Sequence, residues 1–185
     1  HKKRFLIGIS ILLLVLIYNI SYADIAVEDL KKTYANEHSQ FIDIEGMQVH
    51  YRDEGTGLPI VLIHGTGASL HTYDAWTKQL SKNYRVIRLD LPAFGLTGPN
   101  KNAEYSIERY TQFLSQFLEK IKVDKFHLAG NSLGGNIAWN YAAEYPEKVL
   151  KLILIDASGL PTFTPQPAIF KMAKTPILNS LFLYI

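Results

Sequence analysis

Segments with a strand-like pattern of hydrophobic residues alternate along the chain with segments in which hydrophobic residues recur at helical spacing. Short apolar runs bounded by turn residues predict strands, and apolar residues spaced three and four apart predict helices. The predicted strands are residues 41–45, 47–53, 59–63, 84–90, 125–129 and 149–155. The predicted helices are residues 73–80, 106–122, capped by Ser106, and 135–145. This alternation predicts an α/β fold, with a mostly parallel sheet and helices on both faces.

The N-terminal segment has a different pattern. Residues 2–4 are basic, and residues 5–20 are almost all apolar. A basic cluster before an apolar run is typical of both an uncleaved membrane anchor and a secretory signal peptide. We therefore interpret residues 1–23 as an anchor that contacts the membrane, with a signal peptide cleaved after Ala23 as the alternative. Both interpretations predict that the following domain lies outside the cytoplasm, in a periplasm or an extracellular space.

Three further regions follow. Residues 24–40 are a polar connector with helical character, residues 41–159 contain the predicted core, and residues 160–185 are apolar and interrupted by prolines. The formal net charge is +2 and there is no basic stripe, which argues against nucleic acid as a partner. The chain has no cysteine, so disulfides and thiolate catalysis are excluded. We expect neither a metal nor an organic cofactor.

A Gly-Asn-Ser-Leu-Gly sequence occupies residues 130–134, between a predicted strand and a predicted helix. This G-x-S-x-G pattern at a sharp strand-to-helix turn holds its serine in a strained backbone position with the hydroxyl exposed. Gly130 and Gly134 remove side chains that would collide where the two elements pass each other. The helix also directs free N–H groups and its positive end at the serine, which suits a developing oxyanion. Ser132 is therefore the candidate nucleophile.

A second segment, residues 64–67, follows the apolar strand 59–63 and has small residues after His64. Small residues there allow the backbone to approach a substrate oxygen closely. In acyl transfer one oxyanion donor is the N–H that follows the nucleophile, which here belongs to Leu133, and the other comes from an upstream loop. Thr66 is the expected second donor, and Gly67 is the alternative.

With these two segments the chain resembles the α/β-hydrolase fold family, and within it the single-domain esterase and lipase-like members that carry a helical lid. The resemblance covers about residues 41–159. It includes residues 88–97, which are similar to the family's loop after its fourth strand, with Ala93 and Thr97 in place of the usual glycine and serine. The resemblance implies that residues 160–185 are the start of the lid.

In this family the catalytic triad follows the chain order nucleophile, acid, histidine. All six histidines precede Ser132, and Asp156 is the one aspartate after it. Asp156 is a candidate acid, with a structural role at the end of its strand as the alternative. The resemblance implies that His64 and Gly65 support the oxyanion loop, and His64 is a weaker alternative as the base. We therefore expect the triad histidine, the C-terminal strands and most of the lid to lie beyond residue 185, in a longer protein.

The expected function is hydrolysis of a small-molecule carboxylic ester or a lipid, with Ser132 as the nucleophile. Alternatives with the same serine are hydrolysis of a carbon–carbon bond and perhydrolysis. The present chain by itself is expected to be inactive, because a serine without its base is a poor nucleophile. If the natural chain ended at Ile185, a non-catalytic binding protein would be the better interpretation. The acyl and alcohol specificity and the oligomeric state remain open.

Overall fold

The computed structural model describes residues 2–21 and 25–161. The helices are α1 (Lys2–Ser21), α2 (Val27–Tyr34), a 3-10 helix (Leu70–Tyr73), α3 (Asp74–Leu80), α4 (Ile107–Lys120) and α5 (Leu133–Glu144). The strands are β1 (Ser39–Ile44), β2 (Met47–Glu54), β3 (Pro59–Ile63), β4 (Arg85–Leu89), β5 (Phe126–Asn131) and β6 (Val149–Ile155). The chain divides into two compact units, one of which is Leu30–Leu160 and the other of which contains α1.

The first two predicted strands, β1 and β2, form an antiparallel hairpin. Its turn residues Glu45 and Gly46 both have positive φ, 52° and 79°, and this conformation matches the twist of paired strands. The hairpin begins at Ser39, two residues earlier than the pattern predicted, because Ser39 and Gln40 also pair with β2. The polar connector therefore contains helix α2 and the start of β1.

The six strands form one sheet in the order β1-β2-β4-β3-β5-β6. The hairpin is antiparallel to β4, whereas β4, β3, β5 and β6 are parallel to one another. The predicted α/β class with a mostly parallel sheet is confirmed. Within the described residues, β6 is an edge strand, and its side chains are largely exposed.

Helices cover both faces of the sheet, as predicted. On one face α4 and α5 bury apolar side chains against the strands, and on the other face the 3-10 helix and α3 form a smaller core with β3 and β4. Helix α4 begins after Ser106, whose hydroxyl accepts the Arg109 N–H at 3.2 Å. This capping bond is the one that the sequence predicted.

Helix α1 contains 20 residues, and its side chains are exposed where they are described. Within residues 2–21 and 25–161, no helix is long and apolar enough to cross a membrane. The predicted transmembrane anchor is thus not supported. The proposed cleavage position at Ala23 and all but the first two residues of the predicted lid, residues 160–185, lie outside the described residues.

Candidate active site

Ser132 is the one residue between the end of β5 and the start of α5. Its backbone has φ 51° and ψ −112°, a conformation that costs a non-glycine residue about 1–3 kcal/mol. The hydroxyl forms no hydrogen bond that caps the helix, although a serine at this position usually does. The strained turn therefore holds a serine whose hydroxyl is not used to stabilise the helix.

Two glycines allow α5 to cross close to the sheet. A Cβ on Gly130 would overlap the backbone of Gly134, and a Cβ on Gly134 would overlap the carbonyl oxygen of Ile63 in β3. Backbone atoms cannot move aside as the end of a side chain can. The sharp turn at Ser132 therefore depends on glycine at both positions.

The end of β6 holds the turn from the other side. The Ser132 N–H donates to the carbonyl oxygen of Ile155 at 3.0 Å. The Ser132 carbonyl accepts two bonds from Ser158, one from its N–H at 3.0 Å and one from its hydroxyl at 3.2 Å. The Asn131 amide also donates to Ile155, at 3.1 Å. These bonds fix the strained backbone on both sides of the nucleophile.

The predicted oxyanion loop lies beside Ser132 because β3 and β5 are adjacent parallel strands, with Ile63 opposite Gly130. A Cβ on Gly65 would lie 3.2 Å from the Cβ of Ser132. Leu133 is the first residue of α5, so its N–H has no acceptor within the helix. Within the described residues, the N–H groups of Leu133 and Thr66 donate to no other group. Two backbone donors are therefore available, one on the residue after the serine and one on the adjacent loop.

His64 is fully buried, and both of its ring nitrogens are occupied. Nε2 accepts the Leu91 N–H at 3.1 Å, which requires the proton to be on Nδ1, where it is donated to the Gly65 carbonyl at 2.8 Å. Burial lowers the pKa of His64, although the bond to Gly65 and the charge of Asp90 act in the opposite direction. A neutral histidine with both nitrogens bonded to backbone supports the loop and has no nitrogen available for the Ser132 proton.

Asp156 directly follows β6 and is exposed, with a positive φ of 45°. Its carboxylate makes no hydrogen bond or ion pair within residues 2–21 and 25–161, and its role as the triad acid stays a prediction. No described histidine hydrogen-bonds to Ser132. The described residues also contain no group of three histidine or acidic side chains able to hold a metal ion.

Known proteins are similar to this chain across the segment that contains the site. A family model described as the alpha/beta hydrolase fold matches residues 59–179, which include the oxyanion loop and Ser132. The chain belongs to the α/β-hydrolase fold family. The family resemblance found in the sequence is thus confirmed.

Several α/β-hydrolase relatives are similar over part of their length. A 2-hydroxy-6-oxo-2,4-heptadienoate hydrolase from Pseudomonas putida is 32% identical over 62% of this chain and 43% of its own length. The crystal structure of a membrane phospholipase A, a bacterial virulence factor, is 28% identical with a TM-score of 0.70, covering 98% of this chain and 63% of that one. A meta-cleavage product hydrolase from Pseudomonas fluorescens is 29% identical with a TM-score of 0.63, covering 78% and 56%. The chain therefore spans about half the length of these relatives.

One buried pair near the site of this α/β-hydrolase was not predicted from the sequence. His50 Nδ1 lies 2.8 Å from Asp90 Oδ2, and both residues are buried. Asp90 also accepts the N–H of Leu70 at 2.8 Å and that of Leu96 at 2.9 Å. Burial raises the pKa of Asp90, but the bonds from His50 and the two N–H groups outweigh it and hold the pKa below its usual value. Asp90 lies in residues 88–97, which resemble the family's loop after its fourth strand. That resemblance was the feature of the sequence that could have identified Asp90.

Proposed function

We propose that the protein is a serine hydrolase that cleaves carboxylic esters, lipids among them. The observation that carries the proposal is the strained turn at Ser132, where the hydroxyl is not used for capping and the N–H groups of Leu133 and Thr66 are unpaired within the described part of the chain. A folded protein retains such strain where the surrounding structure enforces it, and enzyme sites are the usual place. The arrangement suits attack on a carbonyl carbon and stabilisation of the resulting oxyanion.

The proposed reaction uses these groups in turn. Ser132 Oγ attacks the ester carbonyl while a base removes its proton, and the Leu133 and Thr66 N–H groups donate to the oxyanion. The tetrahedral intermediate collapses, the alcohol leaves with the proton, and water then hydrolyses the acyl-serine. Since both nitrogens of His64 are occupied, we propose that the base is a histidine outside residues 1–185, with Asp156 as a candidate acid.

Two further features support a lipid substrate and an exported domain. The structurally similar phospholipase A is described as a membrane protein. The basic residues 2–4 before the apolar residues 5–20 support export from the cytoplasm. Measuring the intact mass of the protein in each cell fraction tests whether the domain is exported. Loss of residues 1–23 would indicate a signal peptide, and an uncleaved protein in the cytoplasmic fraction would contradict export.

Labelling with a fluorophosphonate probe tests the proposed nucleophile. The natural full-length protein should be labelled, and Ser132→Ala should abolish labelling while the protein remains folded by circular dichroism. Ser81→Ala serves as the matched control, because it removes a serine hydroxyl at the end of α3 and should leave labelling unchanged. Absence of labelling in the wild-type protein would contradict the hydrolase proposal and favour a binding protein without catalytic activity.

Hydrolysis of a carbon–carbon bond is the second candidate function. The supporting observation is the similarity to two relatives, a 2-hydroxy-6-oxo-2,4-heptadienoate hydrolase and a meta-cleavage product hydrolase. The substrate of such a reaction, a 2-hydroxy-6-oxo-dienoate, absorbs visible light, so its loss can be followed directly by absorbance. Turnover of a 2-hydroxy-6-oxo-dienoate that is much faster than turnover of any p-nitrophenyl ester would replace the ester proposal with this one.

A further inference from the structure

A cavity of about 400 Å³ lies between helix α2 and the oxyanion loop. Leu30 and Tyr34 of α2 form one side, Gly67 and Ala68 of the loop form another, and Leu96 lies on the segment after β4. This volume is within the range of pockets that hold small ligands in proteins. Helix α2 precedes the segment 59–179 that matches the family model.

The C-terminal end of α2 is held firmly against the domain. The carbonyl oxygen of Tyr34 accepts a bond from Arg52 Nη2 at 2.9 Å and another from His71 Nε2 at 3.1 Å. Arg52 is buried, and the other nitrogen of His71 bonds to Asp74 at 3.0 Å. Two donors on the last carbonyl of a helix also complement its dipole. The wall formed by Leu30 and Tyr34 is therefore fixed in place.

The histidine and the carboxylate that line the cavity, His71 and Asp90, are already bonded to protein. Asp90 accepts the Leu70 and Leu96 N–H groups and contacts His50, and both nitrogens of His71 face acceptors. A ligand that needs strong hydrogen bonds would find few free partners among these side chains. The side chains of Leu30, Ala68 and Leu96 offer apolar surface instead. The cavity is thus suited to an apolar chain.

The cavity and the nucleophile share one short loop. Gly65 lies against Ser132, and Gly67 and Ala68 line the cavity. Thr66 directly precedes Gly67 in the chain. A substrate whose carbonyl oxygen accepts the Thr66 N–H would therefore lie next to the loop residues that line the cavity. We propose that this cavity binds an apolar chain of the ester substrate, and that Leu30 and Tyr34 determine the chain length accepted. This inference rests on the proposed ester hydrolysis.

Filling the cavity in the natural full-length protein tests the inference. Leu30→Trp should lower the ratio of kcat/KM for p-nitrophenyl octanoate to that for p-nitrophenyl acetate by about tenfold or more, because a few methylene groups lose their apolar contacts. Tyr34→Ala keeps the carbonyl that Arg52 and His71 bind, and it should shift the preference toward longer chains. Thr33→Trp is the matched control, because Thr33 is exposed on the same helix and does not line the cavity.

Two results separate this inference from the proposed function. If wild-type protein hydrolyses esters and all three variants keep its chain-length profile, the cavity inference is wrong while the function stands. Binding of the apolar fluorophore N-phenyl-naphthylamine to Ser132→Ala protein needs no turnover. Saturable binding that Leu30→Trp removes and Thr33→Trp preserves would support the cavity even if no ester were hydrolysed. Binding that is absent, or unaffected by Leu30→Trp, would overturn it.

Discussion

At the scale of single residues, the site depends on backbone that only particular side chains permit. Ser132 has a positive φ, and the two glycines at either side of it have backbone atoms where a Cβ would be. The strain is maintained by the hydrogen bond that Ser132 donates to Ile155 in β6 and by the one that it accepts from Ser158 in the following loop. A serine in this geometry is costly for folding, and its retention is the main support for a catalytic role.

Gly130→Ala should destabilise the protein more than Gly98→Ala, although Gly98 and not Gly130 has a positive φ. The new Cβ would meet the backbone of Gly134, and overpacking against rigid backbone costs about 3 kcal/mol or more. Gly98 is the matched control, since it has φ 70° and a Cβ added there would have no atom within 4 Å, so Gly98→Ala should cost only about 1–2 kcal/mol. Urea unfolding measures both. Equal losses in the two variants would show that close packing at Gly130 is unimportant.

At the scale of elements, buried side chains join loops that are distant in sequence. His64, at the end of β3, bonds to Leu91 after β4, 27 residues away. Asp90 and His50 are 40 residues apart and join β4 to the hairpin. Periodicity and turn residues are local signals, so they predicted the strands, the Ser106 cap and the turn at Ser132. They contain no information on which distant residues meet, and the His50–Asp90 pair was therefore missed.

The His64 link should make stability depend on pH. Burial lowers the pKa of His64 below 6.5, so between that value and the lower folded-state pKa the unfolded chain binds more protons. The stabilisation from neutral His64 is therefore complete above about pH 6.5 and decreases as the pH falls, by at most about 1.4 kcal/mol per pH unit.

Urea unfolding at about pH 7.5 and about pH 5 measures this contribution when wild-type protein is compared with His64→Gln, which cannot titrate. Other ionisable groups are common to both proteins and cancel in the difference. We expect wild-type protein to lose more stability than the variant on acidification. An equal loss in both would mean that His64 does not contribute to the pH dependence.

At the scale of the whole molecule, the described strands leave one side of the sheet incomplete. Leu150, Leu152, Ile153 and Leu154 of β6 are each exposed by 38–46% of their surface. An exposed apolar edge strand is a site for pairing with further chain. The chain also spans 43% and 63% of two relatives. We propose that further strands pair with β6 in the natural protein, and the position of the triad histidine stays a prediction.

Residues 1–185 produced alone should therefore hydrolyse p-nitrophenyl butyrate very slowly, and the natural full-length protein should be faster by about 10⁴-fold or more, as expected when a serine lacks its base. No described histidine hydrogen-bonds to Ser132, and within residues 1–185 every histidine precedes it. Ser132→Ala in the shorter chain provides the background, since residual catalysis by the oxyanion donors requires no activated serine. Rapid hydrolysis by the shorter chain, lost in Ser132→Ala, would contradict the prediction and show that a base lies within these residues.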